Sequence, residues 1–181
     1  MDSRLNADCR WCSDLALIAT TTHDPVALPE VLTQIEQQVL AEPGLTPRSR
    51  NALQKVANSG DLILLWSEGN LAGWGVRERL APGVKEVGLM FVKPEFRSAV
   101  AFAELARELT NDRSTLVMAS YDPALIRYVV AKLGFRKATL GQVALRSWGG
   151  FIAKRLSKTA RTAVRRHTST AKPLFAIRGK R

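Results

Sequence analysis

The stretch from Glu86 to Phe135 constrains this chain more than any other. It opens Glu86-Val-Gly-Leu-Met-Phe-Val-Lys-Pro-Glu-Phe-Arg97, an apolar strand pattern stopped by Pro94 and a basic turn. Ala99, Phe102, Ala103, Leu105, Ala106 and Leu109 then recur as one helical face. Ser114 to Ala119 reads as a short strand. Asp122-Pro123 opens a second helix, with Asp as its cap and Pro in its first turn, and Leu133-Gly134-Phe135 ends it on a C-terminal glycine. Strands and helices alternating at this spacing imply an α/β fold with helices packed on a central sheet.

The flanking chain extends that pattern. Leu15 to Thr21 suits a first strand. Leu28, Leu32, Ile35 and Val39 fall at helical spacing around Pro29, and Pro43-Gly44 ends that helix. Thr46-Pro47 is placed to cap a second helix carrying Leu53 and Val56, which stops near Ser59-Gly60. Asp61 to Trp66, the turn Ser67-Glu-Gly-Asn70, and Leu71 to Leu80 read as a hairpin; Ala81-Pro-Gly83 turns the chain again into Val84–Val92. Beyond Phe135, Lys137 to Arg146 alternates loosely and is expected as a strand, residues 150–166 as a basic amphipathic helix, and residues 173–178 as a last strand.

Charge divides the chain into a body, residues 1–145, and a basic C-terminal extension, residues 146–181. The body holds 16 Lys+Arg and 16 Asp+Glu, whereas the extension holds 11 Lys+Arg and no acid, so the whole net charge of +11 sits in the extension. At about 100° per residue, Lys154, Lys158, Arg161 and Arg165 share one stripe of the expected helix, flanked by Arg155 and Arg166. With no acid beside them these cations repel one another, and they are expected to bind an acidic partner, a protein assembly or nucleic acid. Trp148 and Phe151 suit anchors of that helix to the body better than platforms for bases.

Other classes find little support. No apolar run approaches the roughly 18 residues that a membrane span needs, and no secretory leader is evident, so a cytoplasmic protein is expected. Residues 1–12 are polar and include Cys9-Arg-Trp-Cys12, but that pair lacks a strand–helix frame, and His23 and His167 each stand alone, so no metal site is expected.

The organising stretch resembles the cofactor-binding half of the GNAT acyltransferases, which carry acetyl-CoA. Met90-Phe-Val92-Lys-Pro94-Glu-Phe96-Arg97 matches the family's Leu-x-Val-x-Pro-x-Tyr/Phe-Arg strand end, and Leu133-Gly134-Phe135 matches its second motif. The resemblance implies a mixed sheet whose central strand splays from the next to admit the pantetheine arm. The backbone of Phe91 and Val92 would then face the thioester and polarise it. Arg97 and the amides of Ser98, Ala99, Val100, Ala101 and Phe102 would hold the pyrophosphate at a helix N-terminus. Three positions depart from the family. Val100 and Phe102 stand where its loop has small residues, Val130 stands where a Tyr protonates the leaving thiolate, and Pro123 stands where an Asn is usual. Glu86 is the candidate base and Tyr128 the nearest candidate acid.

Three functions follow as expectations. The first is a non-catalytic structural or assembly protein with no cofactor, loosely similar to the small acetyltransferase-like head-assembly and virion proteins of tailed phages. The second is an acetyl-CoA-dependent N-acetyltransferase, and the third a nucleic-acid-binding module.

Overall fold

The structure, a computed structural model, describes residues 17–21, 28–42, 45, 48–156 and 172–180. Among them seven strands form one sheet: β1 (Leu17–Thr21), β2 (Leu62–Ser67), β3 (Asn70–Ala81), β4 (Val84–Val92), β5 (Thr115–Ser120), β6 (Arg136–Ala138) and β7 (Leu174–Arg178). Their order across the sheet is β1-β2-β3-β4-β5-β7-β6. Every neighbouring pair is antiparallel except β4 and β5, which run parallel. Among the described residues six α-helices cover it: α1 (Leu28–Ala41), α2 (Arg50–Asn58), α3 (Ala99–Thr110), α4 (Pro123–Lys132), α5 (Leu140–Arg146) and α6 (Gly150–Leu156). The α/β mixed sheet flanked by helices that the sequence implies is what forms.

Alternation along the strands sorts the core onto two faces. Ile63, Leu65, Val87, Leu116 and Met118 point to the face covered by α3 and α4, where Leu105, Leu109, Ile126 and Val129 meet them. Leu62, Leu64, Trp74 and Val76 point to the other face, under α1 and α2. Further along that face Val84, Val117 and Ile177 pack under α5 and α6 through Val143 and Phe151. Trp74 is fully buried and donates its indole N–H to Gln38 Oε1 at 2.7 Å, which satisfies its one polar atom.

Three sequence expectations are corrected or bounded. Lys137–Arg146 is not a strand: β6 ends at Ala138 and α5 follows. The cause is a capping box, in which Thr139 Oγ1 accepts from the Gln142 amide (3.3 Å) and Gln142 Oε1 accepts from the Thr139 amide (3.0 Å). Helix α2 starts at Arg50 behind Ser49, whose side chain caps Ala52, and Thr46-Pro47 lies outside the described residues. The basic helix is described from Gly150 to Leu156, so Lys158, Arg161, Arg165 and Arg166 lie outside the described residues, as do Cys9, Cys12, His23 and His167.

The last strand forms one residue inside its expected start, and it is internal to the sheet: β7 lies between β5 and β6. Helix α6 is seated just as firmly, since a Cβ at Gly150 would fall on the backbone carbonyl of Leu80 in β3. Gly150→Ala is therefore expected to cost about 2 kcal/mol as an overpacked contact. Gly141→Ala, where a Cβ has ordinary room, is expected to be neutral or slightly stabilising. Urea midpoints of the two variants check this pair.

Candidate functional site

The parallel strands β4 and β5 pair over a short span, Val84–Val87 against Thr115–Met118. Beyond it β4 carries a bulge. Gly75 faces Met90 and Arg77 faces Val87, so β4 has one more residue than β3 between those pairs. A bulge bends its strand and ends regular pairing. From Gly88 to Val92, β4 keeps β3 and parts from β5. The opening becomes a cleft of about 510 Å³ lined by Met90, Phe91, Val92, Arg97, Ser98 and Phe102.

The start of α3 forms one wall. Ser98 is its cap: Ser98 Oγ accepts from the Ala101 amide at 3.0 Å, and the Ser98 carbonyl accepts from the Phe102 amide at 3.1 Å. Two of the five amides expected to hold an anion are thus already used. Those of Ser98, Ala99 and Val100 take no acceptor among the described residues. Arg97 Nε donates to the Val92 carbonyl at 3.1 Å, and its guanidinium lies 3.6 Å from Glu42, which fixes a cation at the mouth of the cleft. The two bulky departures behave differently. Val100 is 68% exposed and leaves the cleft clear, whereas Phe102 lines it and packs on the core. Ala101 is fully buried, and Ala99 sits exposed in the first turn.

The candidate base is differently employed. Glu86 is 4% exposed and faces away from α3, under α6. Its Oε2 accepts from Lys154 Nζ and its Oε1 from Arg155, both at 2.7 Å. Lys154 also bridges to Glu78, which stands directly across from Glu86 on β3, and Glu78 is held in turn by Arg48 at 2.7 Å. Arg155 stacks its guanidinium 3.4 Å above the Phe151 ring. Burial pushes the Glu86 carboxyl up, but the charges and hydrogen bonds of Lys154 and Arg155 more than reverse this, so it sits below the usual glutamate range. Five residues of strand, roughly 16 Å, separate Glu86 from Phe91. Sequence reasoning missed Glu78, and it missed the internal acids that Lys154 and Arg155 engage.

Tyr128 is half-buried against the core between α4 and the sheet and is not among the residues lining the cleft. Ser120 Oγ, near this end of β5, accepts from the Asp122 amide at 3.0 Å. A second ion cluster holds the opposite end of β4. Asp61 and Asp112 share Arg77 and Lys85, and Asp112 is drawn down to about 2: burial opposes this, and hydrogen bonds from Ser114 and Lys85 overcome it. Among the described residues no group of three His, Cys, Asp or Glu is placed to hold a metal, and no helix is long and apolar enough to cross a membrane.

No family model and no curated protein matches the sequence. Solved structures do match. The gonococcal N-acetylglutamate synthase, crystallised with coenzyme A and N-acetyl-glutamate, superposes with a TM-score of 0.55 at 18% identity over 91% of this chain. This chain spans 35% of that protein's length. The fold is that of the GNAT acetyltransferases. A Mycobacterium tuberculosis protein in complex with CoA superposes at 0.58 and 12% identity, covering 90% of this chain and 98% of its own. The diaminobutyrate acetyltransferase of Paenibacillus lautus, in complex with its substrate and coenzyme A, superposes at 0.54 and 13% identity, covering 89% and 93%. Helices α5 and α6 stand between β6 and β7 in chain order, α5 packed on β7 and α6 on β3.

Because buried Glu86 accepts from two cations, Glu86→Gln is expected to destabilise the fold by about 2 kcal/mol, the cost of weakening two charge-assisted hydrogen bonds while Lys154 keeps Glu78. A carboxyl held below its unfolded value adds stability above that value and loses it as the pH falls through the folded one. The variant is therefore expected to lose less stability than the parent protein between neutral pH and pH about 3. Chemical denaturation across that range checks both outcomes.

Proposed function

We propose that this acetyltransferase-like protein binds a CoA thioester in the β4–β5 cleft and has given up the side chains that would drive acyl transfer. The observation that carries the reading is the cleft itself. It combines a strand splay, an arginine at the mouth and a helix N-terminus with three amides to offer. Its volume suits the extended arm of such a ligand. Arg97 and the amides of Ser98, Ala99 and Val100 supply the charge and donors that a pyrophosphate needs. Phe91 and Val92 line the cleft, and by the resemblance their backbone would polarise a thioester carbonyl bound there. Bound there, the cofactor would supply the activated acyl group.

Transfer to an amine requires a group to take the amine proton and another to protonate the thiolate, each within hydrogen-bond reach. Glu86 is committed to Lys154 and Arg155 about 16 Å along β4 from Phe91. Val130 occupies the position expected of the acid, and Tyr128 packs in the core. On this reading the chain works as a structural or assembly component, in the cytoplasm or in a virion. Lys158, Arg161, Arg165 and Arg166 are then proposed to meet an acidic partner.

Calorimetric titration with acetyl-CoA, paired with a thiol-release assay over a panel of amines, tests this. Binding is expected at micromolar concentration and is expected to weaken about tenfold in Arg97→Ala, the loss of one charge-assisted contact. Thiol release is expected to stay at the background rate. Release well above background would replace this reading with a working N-acetyltransferase, and no binding at millimolar acetyl-CoA would remove the cofactor from it.

A further inference from the structure

The cleft opens at the end of the sheet where the parallel strands β4 and β5 both finish. Strand β7 starts at that end, with Leu174 opposite Ser120, and β6 finishes there, with Ala138 opposite Phe175. A groove of about 260 Å³ lies at this end on the other side of β5, between α4 and the β6–β7 pair. Its lining is apolar, with Ile126, Leu174 and Phe175, apart from Arg127 and Lys137. Both cations are exposed, and neither makes an ion pair with another described residue. Exposed Lys172 leads into Pro173 of the same lining.

Of the acids near the two openings, Glu42 is paired with Arg97, Asp122 caps α4 by accepting the Ala124 amide at 2.7 Å, and Glu95 stands exposed in the turn after β4. Asp122 is the last acid in the chain: the 59 residues after it hold 15 Lys and Arg and neither Asp nor Glu. The groove is built from that part of the chain, so it attracts anions. The aromatic anchors expected of the basic helix divide. Phe151 is fully buried against Phe175, whereas Trp148 is 86% exposed and two residues from Gly150, which abuts Leu80 at the opposite end of the sheet. Trp148 takes no part in this surface.

The cleft offers less to a nucleotide than to the arm that a nucleotide carries. Arg97 is the one cation in its lining among the described residues. The amides of Ala101 and Phe102 are used inside α3, which leaves those of Ser98, Ala99 and Val100, all three on exposed residues. Three amides and one guanidinium match the oxygens of one phosphate group. A free CoA brings a pyrophosphate and a ribose phosphate, whereas a pantetheine arm tethered to a protein brings a single phosphodiester.

We propose that the thioester arrives on an acidic carrier protein, as a pantetheine arm joined to that protein through one phosphate. This rests on the cleft reading above and names the acidic partner that it leaves open. The arm enters the β4–β5 cleft with its phosphate on Arg97 and the three amides, while Arg127, Lys137 and Lys172 meet carboxylates of the carrier. Two features select such a partner over nucleic acid. The cations adjoin an apolar groove, and a protein surface offers apolar side chains inside a charged rim. The groove and the cleft share one end of the sheet, so docking of the carrier raises the effective concentration of its arm at the cleft.

The test measures binding of the full chain to a purified acyl carrier protein, an acidic protein bearing this arm on a serine, in its acetylated and apo forms, with acetyl-CoA titrated separately. The acetylated carrier is expected to bind about tenfold more tightly than either the apo carrier or acetyl-CoA. The double variant Arg127→Ala, Lys137→Ala is expected to weaken carrier binding about tenfold and to leave acetyl-CoA affinity unchanged, which also shows that it is folded. Arg97→Ala is expected to weaken both ligands. The double variant Arg79→Ala, Arg113→Ala, which removes equal charge from exposed positions at the opposite end of the sheet, is expected to bind the carrier like the parent. Equal binding of the acetylated and apo carriers, or equal losses in the two double variants, would overturn the proposal. So would an oligonucleotide that binds more tightly than the carrier. Acetyl-CoA bound without any carrier binding would overturn this proposal and leave the cleft reading standing, and failure of both ligands would remove the two together.

Discussion

Two glutamates face each other across β3 and β4, and the arrangement of the rest of this protein answers that repulsion. Glu78 and Glu86 form a directly opposed cross-strand pair, which is unfavourable for like charges. Lys154 lies between them, Arg155 takes the other oxygen of Glu86, and Arg48 takes the outer side of Glu78. Both principal cations come from α6, so the helix is pinned across the middle of the sheet. Its Phe151 then completes the third core cluster with Val84, Val117 and Ile177. Glu86 therefore serves as a fastening point, while the Phe91–Val92 end of β4, set apart by the bulge, remains open at the cleft.

The main elements were legible because each carried its own local signal. Asp122-Pro123 caps α4 as read, Pro94 ends β4, and the run from Met90 to Arg97 marked the splay. The chain between Ala138 and Arg146 alternates like a strand, yet its Thr139-x-x-Gln142 pair is a capping signal that starts a helix. The internal place of β7 had no local signal, since a five-residue strand says nothing about its neighbours.

Much of the candidate cleft was visible in the sequence and the fate of Glu86 was not. An ideal turn at Pro82-Gly83, closing Ala81 against Val84, would pair Arg79 with Glu86, a comfortable opposite-charge match. A register shift between Arg79 and Ala81 puts Glu78 there instead. One slipped residue turns an attractive pair into a repulsive one that calls for an external cation. Two cations of the basic extension hide their partners for a related reason. Lys154 and Arg155 have no acid within helical reach, so they read as free charge, yet their partners lie 68 and 69 residues away in sequence.

Direct titration of the Glu86 side-chain carboxyl by carbon-13 NMR tests the central claim, that this glutamate is a fastening and not a base. The account predicts a midpoint below the ordinary glutamate value of about 4.3, unmoved by acetyl-CoA. A midpoint near neutrality, or one that rises when the cofactor is added, would contradict it and return Glu86 to the chemistry of the site.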